Sequence, residues 1–217
     1  MNTDAVTHDL DLGTVKKYRS IYLRALFLSL VIVGIELSGS IVSGSFALRA
    51  DVWHVAGDVV IALTPVAVAY STRRGARMRY LLAFAGIAVS GTLGWIGGAI
   101  VAEAWRDIAS PAPAHEVHGL LLSAFALVAA AVNLWQYLLL SRVHDSHRHI
   151  AHRGYHFHVA MDFLKNLALP TLGGLLAFQL VPQRADSWAA LAIGAWIVIR
   201  AAVLLVATFG SARAESR

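Results

Sequence analysis

The sequence predicts an all-α integral membrane protein of six transmembrane helices with both termini in the cytoplasm. Three observations carry this. Of the 217 residues, 58% are hydrophobic and only 14% charged, where soluble domains run to about 45–50% and about 25%. The apolar residues gather into six stretches, each close to the roughly 20 residues that a spanning helix needs. Finally, thirteen of the 18 Lys+Arg fall into clusters that alternate spans would place on one side. The side rich in Lys and Arg is cytoplasmic.

The stretches are taken in order. The first runs from Ile21 to Ser43, behind Lys16, Lys17, Arg19 and Arg24. A short Ser43-Gly44-Ser45 turn joins it to the second, Phe46 to Ser71. Arg73, Arg74, Arg77 and Arg79 separate that span from the third, Tyr80 to Trp105. Pro111 and Pro113 break the chain before the fourth, Val117 to Leu140. Arg142, Arg148 and Arg153 precede the fifth, Tyr155 to Val181, which Pro182 is expected to end. The sixth runs from Ser187 to Phe209, followed by Arg213 and Arg217. Residues 1–20 and 210–217 then read as cytoplasmic tails around a bundle over 21–209, with no soluble domain. The first twenty residues are polar and contain no signal-peptide core. The net charge of +5 sits at span ends, which is topology rather than nucleic-acid binding. With no cysteine in the chain, disulfides, thiolate metal sites and cysteine nucleophiles are excluded. The small-residue run Gly91, Gly94, Gly97 and Gly98 points to close helix packing on the third span.

Two motifs inside this apolar sequence carry chemistry: His54-Val-Ala-Gly-Asp58 and His158-Val-Ala-Met-Asp162. Residues i and i+4 lie one above the other on a helix, so each motif presents an imidazole and a carboxylate on one face. Ionisable groups in lipid are costly and mark ion paths or sites. A lone histidine would read as an interhelical hydrogen bond, but each has a carboxylate one turn away that also needs a partner. Together the pairs supply four ligands, the number a tetrahedral zinc-type ion takes. Imidazole with carboxylate suits Zn2+, with Co2+, Cd2+, Ni2+ or Fe2+ as further substrates. Histidine (about 6.5) and aspartate (about 3.9) must lose their protons to bind such an ion, so protons could also expel it. This predicts a carrier that exchanges metal for protons, and not an enzyme.

The loop after the fourth span holds His144, His147, His149, His152 and His156 within thirteen residues. Histidine-rich tracts bind metal, so the loop is a candidate capture site, weakened by Arg148 and Arg153. Three further charges are candidate modulators. Glu36 and Asp51 line an outer vestibule or, with Glu103, pair with Arg49 and Arg106 at the interface. Lys165, one turn after Asp162, pairs with that aspartate or turns toward Asn133 or Gln136.

These residues carry a resemblance. IELSGSIVSGSFALRADVWHVAGDVV is similar to the end of helix one, the tight turn and the second helix of the cation diffusion facilitator family, with the family's Ala-Asp-x-x-His-x-x-x-Asp motif at Ala50, Asp51, His54 and Asp58. RGYHFHVAMD resembles the start of its fifth helix. The resemblance covers essentially the whole membrane part. It implies a six-span homodimeric exporter of zinc and similar ions driven by protons, with His54, Asp58, His158 and Asp162 as its site. A histidine-rich loop between helices four and five is typical of zinc members. Typical members also carry a cytoplasmic domain after helix six. The chain stops at Arg217, so dimer contacts are expected from the membrane part. Lys165 stands where the family has a small residue, and the arginine-rich segment before helix three departs from the family's Gly-Tyr-Gly-Arg run.

Compactness and short loops suggest a bacterial inner membrane. Two other classes fit some of the same residues: a membrane metal receptor or scaffold without transport, and a haem-bearing electron carrier with axial histidines. The aspartate beside each histidine counts against haem.

Overall fold

The computed structural model of the chain describes residues 19–70, 76–112, 115–142 and 150–214. Among them are six α-helices: α1 Arg19–Ser43, α2 Phe46–Tyr70, α3 Ala76–Ala109, α4 Gly119–Leu140, α5 Ile150–Ala177 and α6 Ala185–Ala214. Each of the six apolar stretches is one helix. Four contain segments long and apolar enough to cross a membrane: Leu23–Ser43, Ile87–Ala109, Gly119–Leu140 and Ala185–Val206. Among the described residues, large apolar side chains point outward from each helix, Trp95 82% exposed and Ile41 73%. Exposed apolar surface of this kind belongs in lipid.

The α1–α2 turn shows how local sequence sets the fold. Gly44 has φ +72°, a left-handed conformation that costs glycine nothing and ends α1. Ser45 then caps α2, its Oγ accepting from the Leu48 N–H at 3.0 Å. Helix α5 ends differently from expectation. Leu180 N–H bonds Leu175 O at 2.9 Å and Gln179 N–H bonds Leu176 O at 3.0 Å, with Gln179 at φ 55°. This paired closure stops the helix at Ala177, ahead of Pro182, so the proline follows the end rather than making it.

Helix α3 packs mainly on α6, and α4 on α5; α1 packs on α2 and α4, and α2 also on α6. Two of these seams rest on glycine. A Cβ on Gly97 would stand 3.0 Å from Gly194 O, and one on Gly173 would stand 2.7 Å from Gly119 O. The four-glycine run on α3 does not act as a unit: Gly97 is in the seam, Gly94 is in ordinary contact with Ala201, and a Cβ at Gly91 or Gly98 meets nothing within 4 Å. The expectation of close packing holds at Gly97; Gly94 faces α6 at ordinary contact distance, and the helix turn points Gly91 and Gly98 at open space.

The ends of α1, α3 and α5 and the starts of α2, α4 and α6 meet at one end of the bundle, here called the far end. His118 N–H bonds Ser43 O at 2.9 Å, joining α4 to α1. Val117 N–H bonds Gln183 Oε1 at 3.1 Å, joining α4 to the α5–α6 connection. Arg184 bonds the carbonyls of Ser110 and Ala112 at 2.6 and 2.9 Å. Asp186, fully buried in the first turn of α6, accepts from Ser45 Oγ–H at 2.5 Å and Phe46 N–H at 2.6 Å. Its carboxylate thus satisfies two groups that the start of α2 leaves unpaired, and sits favourably at that helix's positive end.

Replacing Gly97 by Leu should separate α3 from α6 and lower stability by about 1–3 kcal/mol. Gly98→Leu, one residue on and facing open space, should leave the melting temperature in detergent nearly unchanged.

Candidate functional site in the bundle interior

Helices α2 and α5 hardly pack against each other, yet a polar contact joins them. His54 Nε2 lies 3.3 Å from Asp162 Oδ1, with side chains 5% and 13% exposed. Helix α2 leaves the far end at Phe46, and α5 arrives there at Ala177, so the two run in opposite directions. Asp58 is one turn beyond His54, and His158 one turn before Asp162. In antiparallel helices both steps go the same way, away from the far end. The backbone register therefore sets Asp58 level with His158, about 6 Å from the His54–Asp162 level. Each level draws one imidazole from one helix and one carboxylate from the other. The side chains of Asp58, His158 and Lys165 lie outside the described residues.

A second polar layer lies toward the far end. Asn166, one turn after Asp162 on α5, donates from Nδ2 to Glu36 Oε1 of α1 at 3.3 Å. Glu36, Asn166 and Asp51 are all fully buried. Glu36 and Asp51 therefore belong to the interior of the bundle. Glu103 pairs with Arg49 at 2.6 Å, with both side chains about half exposed. Gln136 is turned inward, donating to Ala25 O at 3.1 Å and Ser29 Oγ at 2.9 Å, where it ties α4 to α1.

Among the described residues no set of three or more His, Asp and Glu stands at metal-holding spacing. The side chains of two of the four expected ligands, Asp58 and His158, are not among those described. Of the histidine tract, His144, His147 and His149 lie outside them entirely; His152 and His156 are on the backbone of α5, with side chains that are not among those described. The polar cluster at the far end was not singled out from the sequence. Its signal was Asp107, His115 and Asp186 standing at the ends of neighbouring spans, and single residues at span ends look like ordinary interface chemistry.

The architecture is that of an integral membrane protein with its ionisable side chains turned inward across helix–helix seams, the class to which membrane transporters belong. The family model of the cation efflux transmembrane domain matches residues 22–211. The chain belongs to the cation efflux family, whose members transport divalent metal cations and are not enzymes. No curated protein matches the chain.

Proposed function

We propose that the chain exports Zn2+ in exchange for protons through a four-ligand site formed by His54 and Asp58 of α2 and His158 and Asp162 of α5. The observation that carries this reading is the 3.3 Å approach of His54 to Asp162 across two helices that otherwise scarcely pack. A tightly packed seam would resist movement. A polar seam between two helices can open when the groups that join it change partners. Imidazole nitrogen and carboxylate oxygen at this separation compete for the same proton or the same cation. Cation binding would displace protons, and protons arriving from the other face would return the pair to its present contact. Co2+, Cd2+, Ni2+ and Fe2+ meet the same ligands.

In this reading the six helices are six spans, the far end faces away from the cytoplasm, and the membrane is a bacterial inner membrane. Glu36, Asn166 and Asp51 then continue the polar line from the site toward release. The histidines at 144, 147, 149, 152 and 156 stand at the cytoplasmic entry, where they raise the local metal concentration. Homodimer contacts come from the exposed apolar faces.

Zinc flux into proteoliposomes tests the assignment. Asp162→Ala and His54→Ala should each abolish flux and weaken zinc binding by at least about a hundredfold, or about 2.8 kcal/mol. Flux insensitive to an imposed pH gradient would remove proton exchange, and binding without flux would make the chain a receptor. Replacing the five loop histidines should raise the apparent KM several-fold and leave the maximal rate in place; loss of flux at saturating zinc would overturn the capture role.

A further inference from the structure

At the far end, His115 stands between two carboxylates on different helices. Its Nε2 is 3.2 Å from Asp186 Oδ2 of α6. Its Nδ1 is 3.3 Å from Asp107 Oδ1 of α3, an ion-pair distance with poor hydrogen-bond alignment. Asp107 is held in turn by the Ser187 hydroxyl, which donates to Oδ2 at 2.6 Å. The His115 ring stacks on Phe46, the first residue of α2, with centroids 4.0 Å apart.

A neutral imidazole has one N–H and one lone pair. Facing two carboxylates, it would direct that lone pair at an anion. The imidazolium presents N–H to both. We propose that His115 is a pH-responsive positioning residue: as an imidazolium it clamps the end of α3 to the start of α6, and through Asp186 it fixes the first turn of α2, the helix that carries His54. Asp186 is the shared part. The Oδ2 that faces His115 also accepts from Phe46 N–H at 2.6 Å and Ala47 N–H at 3.3 Å. Loss of the His115 proton therefore weakens one side of an acceptor whose other side caps α2.

The remaining charged groups nearby do not replace the imidazolium. Arg49 of α2 lies over the Phe46 ring, 4.6 Å from its centroid, and is bound to Glu103 of α3. Arg184 of the α5–α6 connection is spent on backbone carbonyls. Glu116 and His118, on the same segment as His115, are exposed.

The hydrogen bond to Asp186 raises the His115 pKa above its ordinary value, aided by the charges of Asp186 and Asp107 and opposed by burial. A raised native pKa means that the folded protein holds the proton more tightly. The stabilisation is then complete below about 6.5 and lost as the pH climbs through the raised value. The clamp is closed on an acidic far side and relaxes as that side becomes alkaline. Its bearing on metal exchange rests on the transport reading, but the clamp itself does not.

Hydrogen exchange of the intact protein in detergent tests it, read as protection factors for the Phe46 and Ala47 amides over a pH series. In the wild type, protection should fall at least about tenfold as pH rises past the raised pKa. His115→Gln keeps one hydrogen bond without a titrating charge and should give a flat profile. Asp107→Asn keeps the Ser187 contact, removes one attracting charge and should move the fall to lower pH. A flat wild-type profile, or an unaltered fall in both variants, overturns the proposal. Should His115→Gln lose its fold, the direction of the Asp107→Asn shift decides alone. The readout does not involve metal, so failed zinc transport and failed clamping remain distinct results.

Discussion

A carboxylate inside an apolar bundle has to be met by a partner from another helix, and the relative placement of these six helices depends on that requirement. Water is absent from the lipid core, and an unmet charge there costs several kcal/mol or more. Asp162 of α5 meets His54 of α2. Glu36 of α1 meets Asn166 of α5. Asp186 of α6 meets the start of α2. Each contact is polar and between helices, and together they relate α1, α2, α5 and α6 more specifically than apolar packing does. Apolar side chains are nearly as content against lipid tails as against each other.

The contacts divide the molecule into two mechanical regions. The far end is dense with hydrogen bonds that join the ends of α1, α2, α3, α4 and α6 and the α5–α6 connection, and the tight glycine pair Gly119–Gly173 lies close to it. Further along, α2 and α5 are joined chiefly through side-chain chemistry. In the proposed reading the hydrogen-bonded far end is the frame, and the α2–α5 seam is the part that a bound cation alters. The inward polar line from His54 and Asp162 to Asn166, Glu36 and Asp51 connects the two regions. Cation efflux transport requires both: a site that can change its partners, and a frame against which that change becomes movement.

Much of this was legible in the chain. Hydropathy and the arginine clusters gave six helices within a few residues of their ends, because twenty apolar residues in a row admit few other structures. The His54 and Asp162 motifs stood out because each sets a carboxylate one turn from a histidine in an apolar run, where both groups need partners. What escaped was the end chemistry. The α5 stop at Gln179 depends on a backbone closure that a non-glycine residue does not announce, and Pro182 drew attention to the wrong place. Gly91 and Gly98 look like Gly97 in sequence, but the helix turn points them elsewhere. His115, Asp107 and Asp186 stand at the ends of spans, where single polar residues are commonplace.

By itself, then, the sequence determined the helical class, the six helical stretches and the two motifs, one on α2 and one on α5, from which the His54–Asp162 contact is drawn. These follow from local composition and from the cost of burying charge, which any stretch of the chain expresses without its neighbours. Only the tertiary structure decided the partners: His54 with Asp162 across two helices, Glu36 with Asn166, and Asp186 as the cap of a helix 140 residues earlier. Pairing across helices depends on register and rotation. Those are set by the sum of weak packing contacts and backbone closures over the whole bundle, so no single segment contains them.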